Sequence, residues 1–176
     1  ILVDITPAAM VNLLDETRGI AFGDYDQDGN IDLFVVNNGT NRIYRGDGLG
    51  GFVEVVGINT DTDTDSSSSV NWIDYNNDNY LDLFVTNSDG TANRLYMNQS
   101  TTGFAPVSNE LTVNLESSNG AAWADIDKDG DMDVFIANDG TNRLWLNNGD
   151  GSFSELVDLT INGPTNNSTG ASFGDL

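Results

Sequence analysis

Short apolar runs return along this chain at a nearly fixed interval, each closed off by Gly, Asn or Asp. Leu33-Phe34-Val35-Val36, Leu83-Phe84-Val85 and Val134-Phe135-Ile136 begin 50 and 51 residues apart. Each is preceded by a segment that ends on aspartate: Gly19-Ile20-Ala21-Phe22-Gly23-Asp24, Val70-Asn71-Trp72-Ile73-Asp74 and Ala121-Ala122-Trp123-Ala124-Asp125. Ala171-Ser172-Phe173-Gly174-Asp175 begins a fourth. After each run come a polar turn and an Asn-Arg pair, Asn41-Arg42, Asn93-Arg94 or Asn142-Arg143, which opens Ile43-Tyr44, Leu95-Tyr96 or Leu144-Trp145. A Gly/Asn-rich turn then leads to Phe52-Val53-Glu54-Val55, Phe104-Ala105-Pro106-Val107 or Phe153-Ser154-Glu155-Leu156. Short β-branched and aromatic runs between turn clusters predict strands. No segment keeps a 3.6-residue apolar period, so helix is not expected.

Four strands per unit of about 50 residues is the mark of a propeller blade, whereas solenoid repeats are usually shorter. The expected fold is therefore all-β: a β-propeller of four-stranded blades, about three and a half of them, in a single region spanning 1–176. The units run approximately 2–51, 52–103 and 104–152, with a partial one at 153–176. Leu2-Val3-Asp4-Ile5 matches Phe52-Val53-Glu54-Val55 in register and reads as the outermost strand of a preceding blade. An orphan inner strand is expected around Phe173. Three blades are too few to close a propeller, so the chain is expected to be a fragment of a larger one, of roughly seven blades, or to oligomerise into it. The orphan strands also offer head-to-tail pairing between chains, by strand addition. A start at Ile1 without Met fits a processed or partial chain. Asn59–Val70 is the most variable stretch, and its Asp61, Asp63 and Asp65 read as part of an exposed inter-blade loop.

Charge narrows the partners. Six Lys plus Arg stand against 28 Asp plus Glu, a net charge of −22. Nucleic acid is excluded as a partner, because phosphate contacts need a basic surface. The acidic chain repels itself, and divalent cations are the obvious counter-charge. There is no Cys and no His, which excludes zinc fingers, disulfide frameworks, thiol nucleophiles and histidine bases. No apolar run approaches the roughly 20 residues of a membrane helix, so membrane insertion is not expected. No signal peptide is visible.

The acidic residues are not scattered. Asp24-Tyr25-Asp26-Gln27-Asp28-Gly29-Asn30-Ile31-Asp32, Asp74-Tyr75-Asn76-Asn77-Asp78-Asn79-Tyr80-Leu81-Asp82 and Asp125-Ile126-Asp127-Lys128-Asp129-Gly130-Asp131-Met132-Asp133 place oxygens at alternate positions. Calcium takes 6–8 oxygen ligands, and such a loop supplies side chains at positions 1, 3, 5 and 9 and a carbonyl at position 7. The expected ligands are Asp24, Asp26, Asp28, Asp32 and the carbonyl of Asn30. In the second loop they are Asp74, Asn76, Asp78, Asp82 and the carbonyl of Tyr80. In the third they are Asp125, Asp127, Asp129, Asp133 and the carbonyl of Asp131, and Asp175 begins a possible fourth site. Gly29, Asn79 and Gly130 at position 6 are expected in the left-handed region. An EF-hand would need Glu at position 12; Val35, Val85 and Ile136 stand there instead. The loops therefore join strands, and about three Ca2+ ions are expected as structural ligands.

These repeats resemble the FG-GAP/VCBS family of calcium-binding, integrin-alpha-like propeller blades, most nearly the bacterial secreted type. Phe22-Gly23-Asp24 through Asp32-Leu33-Phe34 carries the likeness, as do Thr40-Asn41-Arg42-Ile43-Tyr44 and Thr141-Asn142-Arg143-Leu144-Trp145. Trp72-Ile73, Trp123-Ala124, Asn76 and Asn79 depart from it. The resemblance implies an extracellular or cell-surface propeller with calcium at one rim, used for adhesion or for binding a glycan or protein ligand. Two other roles stay open: a subunit of a surface assembly that self-associates through incomplete terminal blades, and an accessory domain of a secreted enzyme. Phe22, Trp72, Trp123 and Phe173, and likewise Tyr44, Tyr96 and Trp145, are expected to pack between blades rather than to stack on sugars. Arg42, Arg94 and Arg143 are expected to be structural. No nucleophile–base pair or phosphate loop stands out, so catalysis by this chain is not expected.

Overall fold

The computed structural model describes residues 15–60, 64–157 and 166–174. Leu2–Ile5, Asp61, Asp63 and Asp175 lie outside them. Within them the chain forms three antiparallel four-stranded meanders. The first joins β1 (Glu16–Gly23), β2 (Asp32–Asn38), β3 (Arg42–Gly46) and β4 (Phe52–Val55) in chain order. The second joins β5 (Ser67–Ile73), β6 (Asp82–Asn87), β7 (Arg94–Asn98) and β8 (Phe104–Val107). The third joins β9 (Ser118–Ala124), β10 (Asp133–Gly140), β11 (Arg143–Asn147) and β12 (Phe153–Glu155). The only helix among the described residues is a 3-10 turn at Ser100–Thr102. These are the blades expected from the repeat. In each, the strand opened by Phe52, Phe104 or Phe153 is outermost, so the sheets run out of phase with sequence units cut at 51 and 103.

The expected inner strand around Phe173 is only begun. Asn166–Asn167 (β13) pairs with β10 at Gly140 and Asp139, and residues 168–174 carry no strand. In the other blades this segment pairs with the strand after its own acidic loop; no such strand is among the described residues here, and a strand without a ladder partner does not persist.

Two apolar seams hold the blades together. Phe34, Val36, Ile43 and Tyr25 of the first blade meet Val70, Leu83, Val85, Tyr96 and Phe104 of the second. Phe84, Leu95, Ile73 and Tyr75 of the second meet Ala121, Val134, Ile136, Trp145 and Phe153 of the third. Alternate residues of one strand thus serve opposite seams, as the two-residue period of a strand requires. Trp72 stacks on Tyr25 with ring centroids 6.0 Å apart and meets Phe34 edge-on. Trp123 meets Phe84 edge-on at 5.4 Å. Both indoles are seam residues. Phe22 and Phe173, in the same register, are 58% and 47% exposed, because no described blade flanks them.

Buried amides fix the spacing between blades at the end away from the acidic loops. The Asn41 Oδ1 accepts the Asn37 N–H at 2.9 Å, and its Nδ2 donates to Ser67 Oγ of the next blade at 3.0 Å. Asn93 does the same for Asn87 and Ser118, both at 3.0 Å. Arg42 pairs with Asp15 and Glu54, Arg94 with Asp65, and Arg143 with Glu116 and Glu155. Each acid before the innermost strand is thereby clamped to the third strand. These ion pairs give the arginines the structural role expected of them.

Candidate metal centres

The three acidic loops join the first two strands of each blade. In each, the ninth residue is the first residue of the second strand, which buries Asp32, Asp82 and Asp133 completely. Both carboxylate oxygens of these residues are held by backbone. Asp32 accepts the N–H groups of Tyr25 at 3.0 Å and Gly46 at 2.9 Å. Asp82 accepts those of Tyr75 at 3.3 Å and Asn98 at 2.7 Å. Asp133 accepts those of Ile126 at 2.8 Å and Asn147 at 2.9 Å. One aspartate therefore ties the loop start to the end of the third strand and still offers lone pairs to the loop interior.

The rest of each loop wraps around its first aspartate. Asp24 accepts the N–H groups of Asp28 at 3.1 Å and Gly29 at 3.0 Å. Asp74 accepts those of Asp78 at 3.1 Å and Asn79 at 2.9 Å, and Asp125 that of Gly130 at 3.2 Å. The sixth residue is left-handed throughout, with φ of 86° at Gly29, 69° at Asn79 and 98° at Gly130. So is the fourth, with φ of 59° at Gln27, 58° at Asn77 and 65° at Lys128, a feature the sequence reading missed. Two left-handed residues bracketing position 5 coil the backbone tightly enough to bring alternate side chains to one point. Only Asn77 is of a type that hints at this; Gln and Lys carry no such signal.

Carboxylate oxygens of Asp24, Asp26 and Asp32 all lie within 4.8 Å of one another, as do those of Asp74, Asp78 and Asp82, and of Asp125, Asp127 and Asp133. The structure thus brings together nine of the expected side-chain ligands in three separate sets, each made of oxygen alone. Asp28 and Asp129 stand outside these groups; each accepts the N–H two residues on, from Asn30 at 2.8 Å and Asp131 at 2.9 Å. Asp78 does likewise with Tyr80 at 2.8 Å, and Asn76 Nδ2 donates to it at 3.1 Å. Clustered carboxylates with no nitrogen or sulfur suit a hard divalent cation such as calcium. The residues fit that ion.

Burial and like charge raise three of the loop carboxyls. Burial raises the Asp32 carboxyl above its ordinary value, against the opposing effect of its backbone hydrogen bonds. Asp82 is pushed up to about 7, by burial first and then by the charges of Asp78 and Asp74. Asp127 is raised by desolvation and by Asp129. Neighbouring loops also touch. Gln27 Nε2 donates to the Asn79 carbonyl at 2.6 Å, and Asn77 Nδ2 to Asp131 Oδ1 at 2.5 Å.

A family model described as FG-GAP-like repeat matches residues 24–85, 74–136 and 125–176, so that successive matches overlap on the acidic loops. No curated protein matches the chain.

Proposed function

The chain belongs to the FG-GAP-like repeat family, and we propose that it is a calcium-stabilised β-propeller module that works outside the cell by binding a glycan or protein ligand. The observation that carries the calcium part is the triplicate convergence of carboxylates on loops that join strands within each blade. Calcium there is a scaffold: it neutralises carboxylates that otherwise repel, and it locks the first two strands of each blade. The strand-bound ninth aspartate, immobile in a sheet, supports a structural role over a sensing one. Among the described residues no helix is long and apolar enough to cross a membrane.

For the ligand, the support is family membership and the surplus of exposed polar loops on a rigid frame, where binding residues usually sit. Catalysis is not part of the proposal. A glycan array probed in calcium and again in chelator tests it. Binding of a defined glycan class, lost in chelator, is the expected result. No glycan binding, together with no partner in a cell-surface cross-linking experiment, rejects the ligand-binding reading and leaves the calcium scaffold to its own test.

A further inference from the structure

The three acidic loops are not independent. A continuous series of hydrogen bonds runs between their buried aspartates, and two asparagines form its joints. Asn98 closes the third strand of the second blade and is 4% exposed. Its N–H donates to Asp82 Oδ1 of its own loop at 2.7 Å. Its Nδ2 donates to the Leu81 carbonyl of that loop at 3.0 Å and to the Tyr25 carbonyl of the preceding loop at 2.8 Å. The Tyr25 N–H in turn holds Asp32. Asn147, 2% exposed, repeats the arrangement one blade on. Its N–H reaches Asp133 at 2.9 Å, and its Nδ2 reaches the Met132 carbonyl at 3.2 Å and the Tyr75 carbonyl of the preceding loop at 2.8 Å. The Tyr75 N–H holds Asp82. From Asp133 to Asp32 every step is a hydrogen bond, and both amide joints are buried among the seams.

We propose that the three calcium loops load cooperatively, with Asn98 and Asn147 as the residues that couple them. This rests on the calcium reading above. An ion in one loop fixes its ninth aspartate and the peptide that begins the loop. That peptide is an acceptor for the next blade's asparagine, whose own N–H orients the next ninth aspartate. The ordering needed for the second ion is therefore partly done by the first, which is positive coupling without any contact between the ions. A single net hydrogen bond supplies a factor of about fivefold, so each joint is expected to strengthen the neighbouring site by about that factor. Charge works the other way, since each bound cation weakens the attraction for the next, but near-physiological salt screens that effect over about 8 Å.

The first blade shows how to test this. Gly46 occupies the place of Asn98 and Asn147, and its N–H still reaches Asp32 Oδ1 at 2.9 Å. Asn98→Gly and Asn147→Gly therefore keep the N–H that serves the ninth aspartate and remove the amide that reaches the neighbour, along with its local bonds to the Leu81 or Met132 carbonyl and from the Ser100 or Gly149 N–H. The experiment is calorimetric titration of chelated protein with calcium at near-physiological salt. Wild type should bind three ions with a Hill coefficient above one. The double variant should still bind three, with a coefficient near one and the later steps weakened about fivefold. Arg143→Met, remote from the loops, serves as a destabilised control and should keep the wild-type slope. Independent sites in wild type, or an unchanged slope in the double variant, overturn the coupling while leaving the calcium reading standing. No calcium binding by wild type overturns both. If the double variant does not fold, the wild-type isotherm alone decides.

Discussion

Arg143→Met is the sharpest probe of the frame behind the loops. Three charge-assisted hydrogen bonds end on this guanidinium: Nε and Nη2 to Glu116 at 2.8 and 2.5 Å, and Nη1 to Glu155 at 2.8 Å. The three side chains are only 25–29% exposed. Methionine keeps the aliphatic stem and deletes the charge, so Glu116 and Glu155 are left facing each other without a cation. Each bond to a charged group contributes about 1.5–3 kcal/mol, but the three share one side chain and water reaches the acids, which removes about half of the sum. The expected cost is about 3 kcal/mol, or roughly a 6–12 °C fall in melting temperature for a chain of this size. Circular dichroism melts in saturating calcium measure it. Adding Glu116→Gln to the variant should recover part of the loss, since one of the two stranded charges disappears. Arg143 lies at the start of β11, at the far end of the sheet from its acidic loop, so calcium affinity should not change. A melting temperature within about 2 °C of wild type refutes the clamp.

Other outcomes follow from the loops and seams. The second loop has Asn76 where the others have Asp26 and Asp127, so a site-resolved calcium titration should find it weakest; tightest binding there contradicts the ligand assignment. In chelator, the raised Asp82 carboxyl means that the folded state holds a proton that the unfolded chain releases at an ordinary value of 3.8. Metal-free stability should then be greatest at acid pH and fall as pH rises toward about 7, in line with the linkage sign. Calcium, which competes with that proton, should reverse the trend; a chelated melting temperature that climbs over this range rejects the reasoning. Trp123→Ala empties the seam against Phe84 and Phe153 and should cost about 3 kcal/mol in denaturant titration.

The blades were legible because every level of the pattern agreed. Apolar runs, turn residues and the 50-residue interval all point to four-stranded units, and Trp72 and Trp123 fall in the seams as their shared register requires. The convergence of the acidic loops was legible from alternate oxygens and from Gly29 and Gly130. What stayed hidden depends on tertiary closure. The acids that pair with the arginines, Asp15, Asp65 and Glu116, stand in register but lie 27–29 residues from their partners and differ in type, so no local rule selects them. Asn98 and Asn147 recur at strand ends, but Gly46 breaks the series in the first blade, and their reach across a seam is visible only once blades are packed. The left-handed fourth position escaped because Gln27 and Lys128 are forced into it by the coil around the first aspartate rather than by their own preference.

Calcium is proposed here as folding energy, and paired melts of the wild-type chain test that most directly. Scanning calorimetry in saturating calcium and after exhaustive chelation gives the answer. At a calcium concentration 100 times the dissociation constant, each site contributes about 2.7 kcal/mol. Three sites should therefore raise the melting temperature by roughly 15–30 °C, with greater resistance to proteolysis. Superimposable melts with and without calcium contradict the account.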